Sequence, residues 1–225
     1  MNCSNLKFIS NNVRGIQATP KRLKVFEYLK NYVIPNGFIF LQETHSSIKD
    51  EKIWKDDFKG DLFFSHGKTN SCGVAIGYYG IKALELIKLK HDDNGRLLVI
   101  EVKIENTVFL LINIYHANTE TEQLQTLSNL SNILKTFDDI HNKSIIFGGD
   151  FNLFLDICVD TNGKKTSLKK KSTAHLIQII ENYGLCDIWR IRHPKTKRFT
   201  FRQNHSSGLI QRRLDYFLFL TLSRK

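Results

Sequence analysis

Short β-prone runs separated by tight turns constrain this chain more than any other feature of its sequence. Residues 96–104 and 107–115 form two such runs, and only Glu105 and Asn106 lie between them. A connection of two residues joins antiparallel neighbours. Asp93-Asn94-Gly95 stands just before the first run and is a second hairpin signal. The middle of the chain is therefore predicted to be an antiparallel meander.

Helical patterns lie on both sides of these strands. Residues 6–13 alternate as a strand does, Thr19-Pro20 provides an N-cap and a first-turn proline for a helix, and residues 38–42 read as a buried strand. Further helices are predicted from Thr119 or Thr121 to about Phe137, and over 172–182. The remaining predicted strands are 62–65, 73–79, 84–90, 144–147, 188–191, 199–202 and 214–220.

The order of these elements predicts an α/β fold. Hairpins outnumber crossover units, which favours a layered sandwich of two mostly antiparallel β-sheets flanked by helices over a doubly wound parallel sheet. The 225 residues are 41% hydrophobic, the three prolines are far apart, and we find no Gly/Ser-rich linker and no internal repeat. We therefore expect a single domain over residues 1–225.

The net charge of +11 and the pI near 9.5 favour a polyanionic partner, of which nucleic acid is the commonest inside cells. A well-solvated basic surface is the alternative. The basic residues concentrate in the later part of the chain, which we predict to be the basic face. They are Lys164, Lys165, Lys169, Lys170, Lys171, Arg190, Arg192, Lys195, Lys197, Arg198, Arg202, Arg212 and Arg213.

The cysteines and the apolar runs bear on compartment. Cys3, Cys72, Cys158 and Cys186 form no C-x-x-C pair, so they suggest neither a zinc site nor a disulfide framework. The first ten residues lack the pattern of a signal peptide, and no apolar run is long enough to span a bilayer. We expect reduced thiols, no membrane association, and a location in the nucleus or cytoplasm.

Polar residues at the ends of apolar strands are the candidates for chemistry, because the strand fixes the backbone while its end emerges at the rim of the sheet. They are Asn12, Glu43, Tyr115, Asp150, Asn152 and Asp215. For Glu43 a solvated carboxylate is the simpler interpretation. Asp150 follows two glycines that allow a tight turn, and Asn152 would lie on its side of an extended chain; an Asx turn is the alternative.

Six strings in the sequence resemble the endonuclease/exonuclease/phosphatase family in their order and approximate spacing, and they span nearly the whole chain. They are Asn12-Val13-Arg14-Gly15, Gln42-Glu43-Thr44, Asn113-Ile114-Tyr115, Gly148-Gly149-Asp150-Phe151-Asn152, Phe199-Thr200-Phe201 and Arg212-Arg213-Leu214-Asp215-Tyr216. The last string, and Arg14 in place of an acidic residue, are most similar to the apurinic/apyrimidinic-like endonuclease domain of non-LTR retrotransposons.

The resemblance implies a metal-dependent phosphodiesterase on a four-layer, deoxyribonuclease I-like α/β sandwich. Glu43 would be the main Mg²⁺ carboxylate, with Asn12 beside it and Mn²⁺ as a possible substitute. Asp150 would deprotonate the attacking water, Asn152 would hold that carboxylate and a phosphate oxygen, and Tyr115 would donate to the phosphate.

The resemblance also implies a partner, DNA, and a reverse transcriptase domain in a longer parent polyprotein. Thr200 matches a position where retrotransposon relatives touch DNA, while the flanking Phe199 and Phe201 read as core residues. Arg14 and Arg202 are further candidate DNA contacts. Lys164 and Lys165 could also contact the phosphate backbone or could belong to a solvated loop.

One part of the family pattern does not occur in this sequence. In the family Asp215 orients a histidine of a C-terminal Ser-Asp-His string, and no histidine follows Asp215 here. We therefore expect the final strand to be missing, from a fragment of a longer polyprotein or a weakly active copy. The alternatives to a DNA endonuclease are a catalytically impaired nucleic-acid-binding module and a phosphatase or phosphodiesterase of the same superfamily.

Overall fold

The computed structural model describes residues 6–68, 71–162, 170–206 and 208–220. The elements follow in chain order: β1 (Lys7–Asn12), α1 (Thr19–Val33), β2 (Gly37–Gln42), α2 (Glu51–Phe58), β3 (Leu62–Ser65), β4 (Val74–Tyr79), β5 (Leu84–His91), β6 (Leu97–Ile104), β7 (Thr107–Tyr115), α3 (Glu120–Leu134), β8 (Ser144–Asp150), α4 (Ile157–Asp160), β9 (Thr161–Asn162), α5 (Lys170–Asn182), β10 (Leu185–Cys186), α6 (Ile188–Arg192), β11 (Phe201–His205), β12 (Gly208–Arg212) and β13 (Asp215–Leu220). Short 3₁₀ turns occur at Ile48–Asp50 and Ile140–Asn142.

Two mixed sheets form the centre of the fold. The four-stranded sheet has the order β1-β2-β4-β3, and the six-stranded sheet has the order β10-β13-β8-β7-β6-β5. In these two sheets β1 and β2 pair in parallel, as do β7 and β8, and the other pairs are antiparallel. The hairpins predicted at Asp93-Asn94-Gly95 and Glu105-Asn106 are both present. The predicted sandwich of two mostly antiparallel sheets is confirmed.

Three apolar clusters separate the layers. One lies between α1, α2 and the four-stranded sheet and includes Phe26 and Trp54. The second lies between the two sheets and includes Phe40 and Leu111. The third joins α3 and α5 to the six-stranded sheet and includes Leu130. Each sheet thus buries both of its faces, and the layers run in the order helix, sheet, sheet, helix.

The topology brings the candidate residues to one end of the sandwich. The strands of the two parallel pairs end at Asn12, Gln42, Tyr115 and Asp150, and Glu43 directly follows Gln42. Within each sheet the two ends therefore point the same way. Strand β13 runs antiparallel to β8, and its first residue Asp215 therefore returns to the same end. A small third sheet, β11-β12-β9, adjoins β13 through the corner at residues 213–214.

Local structure departs from the sequence prediction in several places, and strand β12 is among the elements that were not predicted. Residues 188–191 were predicted as a strand but form α6, because the Asp187 side chain accepts a hydrogen bond from Arg190 N at 3.0 Å and caps a helical turn. Helix α2 was not predicted. The N-cap of α1 is Ala18 without a side-chain bond, and Thr19 is instead the first helical residue.

Two further features concern the length of the helices and the state of the cysteines. In the described residues no helix combines the length and the apolar character needed to cross a bilayer. Cys72, Cys158 and Cys186 are free thiols, and Cys3 lies outside the described residues.

Candidate active site

The polar strand ends converge on a single cavity of about 530 Å³. Its lining includes Asn12, Arg14, Glu43, Tyr115, Asp150, Asn152, Thr200 and Asp215. Eight of the eleven candidate residues of the sequence analysis therefore lie together. Lys164 and Lys165 lie outside the described residues, and Arg202 lies beyond the lining of this cavity.

Asn12 links two carboxylates of the site, those of Glu43 and Asp150. Its side-chain Nδ2 donates to Glu43 Oε1 at 2.7 Å and to Asp150 Oδ2 at 3.1 Å. Its Oδ1 accepts a bond from the backbone N–H of Arg14 at 3.2 Å. The amide of a residue on β1 thus connects a carboxylate after β2 with a carboxylate at the end of β8, although 138 residues separate Asn12 from Asp150.

Asp150 is a buried carboxylate held on both oxygens. Asn12 occupies Oδ2, and the backbone N–H of Asn152 donates to Oδ1 at 3.0 Å. Burial raises the pKa of Asp150 to about 7, and the charges of Asp215 and Glu43 contribute, while the two hydrogen bonds act in the opposite direction. A carboxyl group with this pKa can accept a proton at neutral pH and release it again.

Asp215 faces Asp150 across the β8–β13 ladder, where the two are register partners. Burial raises the pKa of Asp215, whereas a hydrogen bond with Thr200 and the charge of Arg213 lower it. The Thr200 hydroxyl also accepts from the backbone N–H groups of Leu214 and Asp215, at 3.0 and 3.2 Å. Thr200 therefore fixes the start of β13 and with it the position of Asp215.

Tyr115 presents its hydroxyl to the same cavity. Burial raises the pKa of the Tyr115 phenol well above its ordinary value, and a hydrogen bond with Glu43 and the charges of Glu43 and Asp150 raise it further. The phenol is consequently protonated throughout the neutral range and is available as a donor.

The backbone is strained where the site is built. Arg14 and Glu43 have φ values of 48° and 52°, in the left-handed region that non-glycine residues seldom adopt. Such conformations cost of order 1–3 kcal/mol each and persist where the surrounding structure holds them. Their neighbours hold them through the backbone bonds Gly15 N to Glu43 O at 2.7 Å and Ile16 N to Thr44 O at 3.2 Å.

Known proteins resemble this chain in sequence and in fold. The chain is 32% identical over 206 residues, 91% of its length, to the transposon TX1 uncharacterized 149 kDa protein of Xenopus laevis, and it spans 15% of that relative. No protein-family model matches the sequence. Among solved structures, AP endonuclease LMAP from Leishmania major aligns with a TM-score of 0.75 at 18% identity, over 96% of this chain and 79% of that one.

Two more solved structures share the fold. The catalytic domain of Xenopus laevis APE2 aligns with a TM-score of 0.69 at 18% identity, over 95% of this chain and 82% of that one. Humanized Danio rerio TDP2 aligns with a TM-score of 0.59 at 17% identity, over 98% and 84%. The six ordered motifs, this fold and the transposon relative agree. The chain shares the fold of these three structures, and its motifs resemble the endonuclease/exonuclease/phosphatase superfamily.

Asn152 lines the cavity, as the sequence analysis leads one to expect, but makes a different contact. Its backbone N–H, not its side chain, holds Asp150, which is the Asx turn considered as the alternative. Its side-chain Nδ2 donates to His116 O at 2.8 Å. The sequence analysis gave His116 no role. The ring is fully buried, with Phe151 O and Gln123 O each 2.9 Å from a ring nitrogen, so it ties the strand ends to α3.

The aromatic residues beside Thr200 were expected in the core. Phe199 and Phe201 are instead half-buried and belong to none of the three core clusters. Phe201 lines the cavity, as does Leu214. They lie outside the core because β11, which begins at Phe201, is an edge strand of the small third sheet, and this sheet contributes no residue to the three clusters.

The basic stretch divides into an inner and an outer set. Arg190 and Arg213 face inward: Arg190 Nη2 pairs with Asp160 Oδ1, and Arg213 Nη1 lies 2.6 Å from Asp187 Oδ2. Their charges are neutralised within the fold, so they are not part of the basic face predicted from the sequence. The exposed members among the described residues are Lys170, Lys171, Arg192, Lys195, Lys197, Arg198 and Arg202.

The donors that line the cavity fit a hard cation. Among the described residues, no group of three or more His, Cys, Asp and Glu side chains is arranged to hold a metal. Mg²⁺, however, takes one or two carboxylates and keeps several waters. Glu43 binds Asn12 through Oε1, and its Oε2 lies 3.9 Å from His45 Nε2. A cation beside Glu43 would also relieve the mutual repulsion that contributes to the raised pKa of Asp150.

Proposed function

We propose that the chain is a Mg²⁺-dependent DNA endonuclease that hydrolyses phosphodiester bonds, of the nicking type used by retrotransposons. The observation that carries the proposal is the bridge from Asn12 to both Glu43 and Asp150. It holds a candidate metal carboxylate and a candidate base on one amide nitrogen in a polar cavity. The transposon relative and the AP endonuclease neighbours support a nuclease of this superfamily.

Each side chain has a role that its contacts allow. Asp150, with a pKa of about 7, takes the proton of the attacking water, and its two hydrogen bonds hold the carboxylate in place. Tyr115 donates its phenolic proton to a phosphate oxygen, on which negative charge increases in the transition state. Asn12 and Glu43 would hold Mg²⁺, or Mn²⁺ in its place. The bound metal supplies Lewis-acid stabilisation of the phosphate and its leaving oxygen.

The proposed DNA contacts lie around this centre. Arg14 is exposed at the rim of the cavity, and Thr200 lines its other side. Arg202 is exposed on β11, together with the outer basic residues. These contacts would be to phosphates and therefore independent of sequence. The parent polyprotein and its reverse transcriptase domain remain part of the proposal, supported by the much longer transposon relative.

Nicking of supercoiled plasmid by the 225-residue chain tests the proposal. Cutting should require Mg²⁺ or Mn²⁺, stop in EDTA, and fall by at least about 100-fold in Glu43→Gln, since the site loses its main metal carboxylate. Glu27→Gln, an exposed glutamate on α1, is the matched control and should cut like the wild type. Cutting that survives EDTA, or equal activity of the two variants, would refute the proposal. DNA binding without cutting would favour the catalytically impaired module.

A further inference from the structure

The two halves of the candidate site belong to different sheets. Asn12 and Glu43 come from the four-stranded sheet, whereas Tyr115, Asp150 and Asp215 come from the six-stranded sheet. The space between the sheets is filled mainly by aliphatic and aromatic side chains. Apolar burial is non-directional, so it holds the sheets together without fixing which strand ends face each other. A directional contact near the cavity can supply that alignment.

Asn113 on β7 makes such a contact. It is fully buried, and its Nδ2 donates to Leu41 O at 2.9 Å and to Ala75 O at 2.8 Å. These two carbonyls belong to β2 and β4, neighbouring strands of the opposite sheet. A single side-chain amide from the six-stranded sheet therefore holds two strands of the other sheet.

Gln42 extends the contact to a third strand. Its Nε2 donates to Asn113 Oδ1 at 2.7 Å, and its Oε1 accepts from Ser10 Oγ of β1 at 3.3 Å. Gln42 is also fully buried. Each amide has its nitrogen beside oxygen acceptors and its oxygen beside a donor, so the bonding pattern fixes the orientation of both groups. Buried networks that are satisfied in this way make the local structure rigid.

The network lies immediately beneath the cavity. Gln42 directly precedes Glu43, and Asn113 stands two residues before Tyr115 on the same strand. Residues two apart on a strand point to the same face, so Asn113 and Tyr115 both face the opposite sheet. Any shift between the sheets at Asn113 would be passed directly to the contact between Tyr115 and Glu43.

We propose that Asn113 and Gln42 form a positioning pair that sets the alignment of Glu43 against Tyr115 across the two sheets. Neither residue lines the cavity, so the pair acts on the reaction only through the residues that it places. The kinetic part of this inference rests on the proposed nuclease function, whereas its structural part does not.

The test uses the double variant Gln42→Leu/Asn113→Leu in the full chain. Replacing both residues leaves neither amide unpaired, but the carbonyls of Leu41 and Ala75 each lose a donor, so urea denaturation of each variant accompanies the kinetics. The turnover number for plasmid nicking should fall about 100-fold, because small displacements of reacting groups have effects of this size. The KM should stay within about twofold, since no DNA contact is removed. Gln42→Met is a milder second variant that keeps the bonds of Asn113 to β2 and β4, and it should lose less.

The control is Ile100→Val, which removes one methylene from the same inter-sheet cluster without touching a polar contact. Fluorine NMR of 3-fluorotyrosine-labelled protein gives a readout independent of cutting, with the Tyr115 signal assigned by Tyr115→Phe. We expect that signal to shift or broaden in the double variant and to stay in place in Ile100→Val. An unchanged signal in the double and single variants, with a loss of turnover no larger than in Ile100→Val, would overturn the inference. A wild type that cuts nothing would refute the proposed function, and the fluorine signal would still decide the positioning role.

Discussion

Asp215 and Asp150 are register partners on the adjacent antiparallel strands β13 and β8, and burial raises the pKa of both carboxyl groups. The sequence suggested that Asp215 serves to orient a histidine. The structure shows that its charge also acts on Asp150, the proposed base. The charge of Asp215 therefore helps to set the pH at which Asp150 gains or loses its proton. The first two predictions test the titration of Asp150.

Replacing Asp150 by Asn should stabilise the metal-free protein at high pH. The folded-state pKa of about 7 lies above the ordinary value of 3.8, so the favourable contribution of the protonated form is fully present below pH 3.8 and is lost as the pH rises through 7. Asp150→Asn keeps the shape without the charge. Its free energy of unfolding should exceed that of the wild type by about 1–3 kcal/mol at pH 8 and match it near pH 4. Urea denaturation in EDTA, at pH 8 and at pH 4, measures the free energy of unfolding of both proteins. A difference between them that does not depend on pH would contradict the raised pKa of Asp150.

Replacing Asp215 by Asn should lower the pKa of Asp150. Desolvation is the larger cause of the raised value and would remain, but the repulsion from Asp215 would be removed. Carbon NMR of ¹³C-labelled aspartate, in EDTA, should show the Asp150 midpoint moving from about 7 to lower pH. The exposed Asp138 provides the control variant Asp138→Asn, in which the midpoint should stay where it is.

Tyr115→Phe should slow cutting without unfolding the protein. The change removes the phenolic donor that we propose for the phosphate oxygen and keeps the ring, which is only half-buried at the end of β7. Losing one transition-state donor costs about 100-fold in turnover, while the KM should change little. Steady-state nicking rates measure the turnover and the KM. Thermal melting of both proteins is the control for stability. A turnover equal to that of the wild type would exclude Tyr115 from the chemistry.

Thr200→Val should weaken the start of β13. Valine matches the shape of threonine but cannot accept the backbone N–H groups of Leu214 and Asp215. Thr200 is exposed, so water can take over part of the hydrogen bonding to these N–H groups. We therefore expect the free energy of unfolding to fall by about 1 kcal/mol. Thr200→Ser keeps the hydroxyl and should therefore keep most of the stability that Thr200→Val loses. If serine and valine behave alike in urea denaturation, the hydroxyl does not fix this corner.

Arg202→Ala should weaken DNA binding in a salt-dependent way. One lost phosphate contact reduces the slope of log K against log salt by about 0.9. Binding measured in EDTA at several KCl concentrations gives that slope. The control is Lys103→Ala, since Lys103 is exposed on β6, away from the small third sheet. Equal slopes for Arg202→Ala and the wild type would remove Arg202 from the interface.

Much of the fold follows from local sequence. The hairpins at Asp93-Asn94-Gly95 and Glu105-Asn106 were predicted because short connections with turn-forming residues join antiparallel neighbours. The strip 188–191 was predicted wrongly because four β-prone residues cannot reveal the cap from Asp187. Helix α2 carries its buried residues Trp54 and Phe58 among charged ones, a pattern too short to stand out.

The sequence by itself determined which residues stand at strand ends, and therefore which side chains could reach a common site. Only the tertiary structure decided how they meet: Asn12 bonds to two carboxylates, Asn152 holds Asp150 through its backbone, and Arg213 turns inward to Asp187. Strand ends can be read from hydrophobic periodicity, which is local. Contacts such as that of Asn12 with Asp150 depend on sheet register and on the packing of two sheets, which pattern along the chain does not encode.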